Sequence, residues 1–136
     1  MPVSGQAKIP VSYGELIDKI TILEVKSENI TDKIKNRNIA RELAMLKDIW
    51  QSLPRESGDI ETWTTQLKTV NRALWNIEDE IRLKERRKEF DDRFIELARS
   101  VYINNDERAA IKSKINAALG SDIVEVKSYS DYATKD

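Results

Sequence analysis

Apolar residues recur at alternating intervals of three and four through most of this chain, and that period is helical. The clearest run is Ile60, Trp63, Leu67, Val70, Leu74, Ile77 and Ile81. Its heptad spacing belongs to left-handed helix packing and predicts a long helix from Ile60 to about Lys88. A second seam, Ile39, Leu43, Leu46, Trp50 and Leu53, predicts a helix that Thr31 or Asp32 caps and that the Pro54–Asp59 turn ends. Ahead of it, Leu16, Ile20, Leu23 and Ser27 form one stripe, with Ile17 beside it. Ile22 and Val25 widen the apolar face, which predicts a helix from Tyr13 to Asn29 touching two neighbours. Ser12 and Glu15 stand at capping-box spacing at its start.

The fourth seam is interrupted. Phe94, Leu97 and Val101 open it, and Ile111, Ile115 and Ala118 continue it in the same phase up to Gly120, a helix stop. The two positions between them that should be apolar are Asn104 and Arg108. Either the helix breaks near Asn104–Asp106, or something polar is bound there. Beyond Gly120, the alternation in Ile123-Val124-Glu125-Val126 is of the strand type. A short pairing with Ile9–Val11 is the expectation, supported by the helices, because two strands alone are marginal.

These elements predict an all-α fold: an antiparallel bundle of four main helices, with that short two-strand pairing of the terminal segments. The 136 residues fit one domain, spanning residues 9–129, between a flexible leader (1–8) and a flexible tail (130–136). Few glycines and prolines, seven in all, agree with long helices.

Charge and composition then narrow the chemistry. The 23 basic and 24 acidic residues nearly cancel, which argues against nucleic acid as a partner. With no cysteine and no histidine, the chain has no thiolate nucleophile, no zinc–sulfur site and none of the commonest general base. Residues 1–8 have no apolar core of a signal peptide, and no apolar run reaches spanning length, so a cytoplasmic location without membrane partners is expected.

Two constellations are candidates for binding. Beside the third seam, Asn71, Trp75, Glu78, Arg82 and Glu85 share a face. Next to the fourth seam stand Tyr102, Asn105, Asp106, Arg108 and Lys112. If the two long helices form a hairpin, these sets converge into a site for an anionic sugar or nucleotide. Arginine forks would take the anion and an aromatic face would take the ring. The competing reading is structural. Glu78 and Arg82 form an ordinary ion pair, Trp75 covers the core edge, and Asn104 or Asp106 caps a new helix. Arg108 fits that reading least well, since a guanidinium aimed at a core needs a buried partner, with Glu24 and Glu78 as candidates.

A third test concerns carboxylates. Glu15 and Asp18 are three apart, and Glu78, Asp79 and Glu85 lie on the third helix. Paired carboxylates on facing helices can hold magnesium and activate water, the scheme of small helical nucleotide pyrophosphohydrolases. Their pattern needs a second Glu-x-x-Asp pair, which is missing, so magnesium is implied only under that alternative. The run from Arg82 to Lys88 reads as a solvated helix end whose cations suit the helix dipole, or as a patch for an acidic partner.

The blocks Val11-Ser12-Tyr13-Gly14-Glu15-Leu16-Ile17-Asp18-Lys19-Ile20-Thr21-Ile22-Leu23-Glu24, Leu74-Trp75-Asn76-Ile77-Glu78-Asp79 and Arg93-Phe94-Ile95-Glu96-Leu97-Ala98-Arg99-Ser100-Val101-Tyr102 resemble those of a family of small uncharacterised bacterial and phage proteins, described as a domain of unknown function. The resemblance covers most of residues 9–129 and implies a single helical domain without implying an activity. The residues themselves favour a non-enzymatic helical module that binds a protein partner or assembles as a homo-oligomer. The anionic sugar or nucleotide site is the first alternative and the hydrolase the second.

Overall fold

The structure, a computed structural model, describes residues 5–53 and 59–132. Four helices follow one another: α1 (Tyr13–Asn29), α2 (Lys33–Ser52), α3 (Ile60–Arg87) and α4 (Asp92–Leu119). Their ends are set by local chemistry. Ser12 accepts from the Glu15 amide at 3.1 Å, Asp32 from Lys35 at 2.9 Å and Asp91 from Phe94 at 3.0 Å, each satisfying an otherwise unpaired first-turn donor. Lys88 (φ 56) and Gly120 (φ 65) close α3 and α4 in the left-handed conformation. The turn expected at Pro54–Asp59 lies, apart from Asp59, outside the described residues, as do parts of the leader and tail.

The all-helical expectation holds, but two details differ. No strand occurs among the described residues, so the expected pairing of Ile9–Val11 with Ile123–Val126 is absent. Residues 121–132 instead lie against α4, where ion pairs take the place of a ladder. Nor does α4 break. It runs unbroken through Asn104–Asp106, and the Asn104 amide donates to the Ser100 carbonyl at 2.8 Å, closing on its own helix.

The packing is centred on α1, which lies against each of the other three helices, whereas α2 lies alongside α1 alone. Ile17 of α1 joins Ile60, Leu67 and Val70 of α3 and Ile111 and Ile115 of α4 in the core, with Tyr13, Trp50 and Trp63 packed against it. At a rise of ~1.5 Å per residue, the 28-residue helices α3 and α4 are each about 42 Å long and the 17-residue α1 about 26 Å. The polar contacts of α1 with α3 and α4 fall on Lys68–Arg72 and Arg108–Asn116. Beyond them α3 and α4 continue with each other as partners, tied by Arg93–Glu80 and Lys84–Asp91 at 2.6 and 2.9 Å. No helix among the described residues is long and apolar enough to cross a membrane.

Candidate functional site

Two polar stripes face each other where α1 crosses α4. On α1, Gly14, Asp18 and Thr21 follow one another at spacings of four and three. On α4, Arg108, Lys112 and Asn116 follow at spacings of four. The stripes engage in opposite order. The Gly14 amide donates to Asn116 Oδ1 at 2.7 Å, Lys112 Nζ donates to Glu15 Oε2 at 2.7 Å, and Arg108 clasps Asp18. The approach is close enough that a Cβ on Gly14 would stand 2.6 Å from the Lys112 carbonyl oxygen. Glycine is therefore required here by space.

Asp18 is fully buried and is the centre of the network. Arg108 Nε donates to its two oxygens at 2.9 and 3.1 Å, and Nη2 donates to Oδ2. Asn71 of α3 donates to Oδ1 at 3.0 Å and to Thr21 Oγ1 at 2.9 Å, while the Thr21 hydroxyl donates to the Asp18 carbonyl at 2.9 Å. A buried carboxylate is tolerated only with such pairing. The Asp18 hydrogen bond, above the opposing cost of burial, holds the Arg108 pKa above its ordinary value. Burial pulls the Lys112 ammonium down, but hydrogen bonds to Glu15 and Glu125 outweigh it and raise its pKa. The carboxylates around both cations thus favour their charged forms.

A cleft of about 920 Å³ opens beside this network, between α4 and residues 125–132. Arg108, Lys112, Glu15, Asn105 and Asp106 line it, together with Tyr102, Tyr129 and Tyr132. The Tyr102 and Tyr132 rings lie 5.5 Å apart. Arg108 spends one edge of its guanidinium on Asp18 and turns Nη1 toward Asn105 Oδ1 at 3.4 Å. The residues therefore place an oriented guanidinium, an ammonium already paired with Glu15 and Glu125, and aromatic faces along one cleft.

Of the residues singled out in the sequence, Tyr102, Asn105, Asp106, Arg108 and Lys112 come together along this cleft, and Asn71 supports it from below. The expected convergence with Trp75, Glu78 and Arg82 does not occur. Glu78 and Arg82 pair with each other at 3.1 Å in solvent, and Trp75 is half-buried away from the cleft lining. Their stripe leaves the neighbourhood of α1 after Asn71, so it has no third helix to close over it. The expected partners of Arg108 are likewise corrected. Glu24 pairs with Lys47 at 3.5 Å and Glu78 with Arg82, while Asp18 takes the guanidinium. Glu15 and Asp18 thus face cations rather than Glu78, Asp79 or Glu85. No group of three or more carboxylates close enough to hold a metal ion occurs among the described residues.

The sequence reading missed the roles of Asp18, Thr21 and Asn116 in the network and of Glu125, Lys127, Tyr129 and Tyr132 in the cleft wall. Asp18 and Thr21 carry a readable signal: they are polar at helical spacing on a face that Gly14 and Val25 otherwise make small or apolar. The wall residues carry none, because an irregular segment has no period to place it.

The fold and site together define a small all-helical protein with a polar network at the crossing of its first and last helices. The profile of a family of unknown function (DUF6165) matches residues 7–135, and the chain belongs to that family. No curated protein and no solved structure matches it.

Proposed function

We propose that the protein is a binding module whose cleft along α4 takes an anionic ring compound, a sugar acid or a nucleotide. One observation carries the reading. Arg108 is fixed by a fully buried carboxylate and presents its other edge to a cleft that three tyrosines line. A purely structural contact at this place would do as well with apolar side chains, because a buried ion pair seldom adds stability over them. An arginine held in a set orientation is, by contrast, what recognition of a planar anion requires.

The test is a thermal-shift and NMR titration with glucuronate and uridine monophosphate on wild type, Arg108→Lys and Tyr102→Ala. Lysine keeps the charge but cannot serve Asp18 and a ligand together. At least one probe raises the wild-type melting temperature in a concentration-dependent way, and both variants bind it about tenfold more weakly or worse. Absence of any shift, or equal binding by both variants, would sink the reading.

A second reading, self-assembly, is favoured by the far end of α3 and α4, where Leu83, Phe90, Ile95 and Ile103 are exposed. Light scattering that finds a strict monomer at high concentration removes it.

A further inference from the structure

The segment that walls the cleft is held to α4 almost entirely by charge. Gly120 turns the chain back, and residues 121–132 then run along α4 in reverse. Glu125 Oε1 accepts from Lys112 at 3.0 Å, Lys127 pairs with Asp106, and Tyr132 meets Tyr102. Apolar packing adds little, since Val124 is 65% and Val126 86% exposed. Glu125 and Lys127 border the large cleft and also a second hollow of about 270 Å³ over Ala109, Ala110, Ser113 and Asn116. The segment is therefore a strap that borders both hollows.

Its Glu125 carboxylate sits on the more buried of the two cations at the cleft floor. The Lys112 side chain is 6% exposed, whereas that of Glu125 is 54% exposed. An anionic ligand that enters the cleft and seeks Lys112 meets this carboxylate first.

We propose that Glu125 is an internal competitor: the strap occupies the anion seat at Lys112, and a ligand carboxylate replaces it and frees the strap. The proposal rests on the cleft reading and narrows its ligand class. Lys112 already faces Glu15 at 2.7 Å and stands 3.8 Å from Asp18. A singly charged carboxylate replaces Glu125 charge for charge, whereas a phosphate dianion adds negative charge beside two acids, which is unfavourable in a partly desolvated site. The structure thus favours a sugar acid over a nucleotide.

The experiment compares wild type with Glu125→Gln, which keeps the shape and removes the charge. Amide hydrogen exchange is measured across residues 121–132 without ligand, and glucuronate and uridine monophosphate are titrated by NMR. The expected result is faster exchange of the strap in Glu125→Gln and glucuronate binding tightened by about tenfold, the factor lost when only about a tenth of the molecules have an open seat. Glucuronate also binds better than uridine monophosphate in both proteins. Unchanged exchange in the variant overturns the strap's attachment. Equal or weaker glucuronate binding by Glu125→Gln overturns the competition while leaving the cleft reading intact. Failure of both probes to bind either protein overturns the cleft reading, and this proposal with it.

Discussion

The two ends of the α3–α4 pair carry the same heptad spacing yet are built differently. Near α1, Leu67, Val70, Ile111 and Ile115 are buried and polar side chains sit inside the contact. At the far end, Leu74, Ile77, Ile81, Phe94 and Val101 hold the same register but stay half-buried, and between residues 72 and 103 Leu97 alone is buried. Two helices expose the flanks of their shared seam, and a third is needed to cover them. The periodicity announces which side a helix buries, while the number of neighbours decides how deeply. The polar network thus stands where burial is deepest, among Leu67, Ile111 and Ile115 rather than at an exposed edge.

The sharpest way to break the contrast is Asp18→Ala. It leaves Arg108, Lys112 and Asn71 facing a hole at the α1 crossing. Loss of one partner of a buried pair costs about 3–5 kcal/mol, toward the lower figure here because Arg108 is partly exposed. Urea unfolding is the measurement, and a loss below ~1 kcal/mol would mean that α1 is held by its apolar face alone. A smaller loss, about 1–3 kcal/mol, is expected for Gly14→Ala. The added methyl would press on the Lys112 carbonyl, which belongs to a helix backbone and cannot step aside. Crystallography or NMR of that variant should find the start of α1 lifted from Asn116.

The smallest effect belongs to the far end and depends on pH. Hydrogen bonding from Arg93 holds Glu80 below its ordinary 4.5, and hydrogen bonding from Lys84, with the Phe94 amide, holds Asp91 below 3.8. Groups with a lowered folded-state pKa stabilise fully above their unfolded values and lose that contribution as pH falls through the folded ones. The protection of amides at the α3–α4 turn, corrected for the pH dependence of intrinsic exchange, should therefore fall below about pH 4. Glu80→Gln should weaken that response, and an identical response would show that the pair contributes nothing there.

Much of this was legible in the residues. Four helices and most of their caps follow from period and punctuation, and of the two polar positions in the fourth seam Arg108 is the one that meets α1, through Asp18. The partner of Arg108 was not legible, because Asp18 lies 90 residues away and meets it only once α1 crosses the long pair. Trp75, Glu78 and Arg82 misled for the complementary reason. They continue the stripe of Asn71, but a stripe records only its own helix and says nothing about where a neighbour stops. The tail misled differently. Alternation at Ile123–Val126 fits an extended chain, yet it says nothing about whether a strand edge or a charged helix will receive it.

The Gly14–Asn116 hydrogen bond spans 102 positions of the chain. The α3–α4 pair is joined by a short turn and assembles through contacts close in sequence, which is the rapid kind of search, whereas seating α1 on α4 brings together residues about three-quarters of the chain apart. The crossing is therefore expected to form late. A partial opening that lifts α1 would dismantle the floor of the cleft while leaving the long pair standing, so occupancy of the cleft and the last step of folding would be one equilibrium.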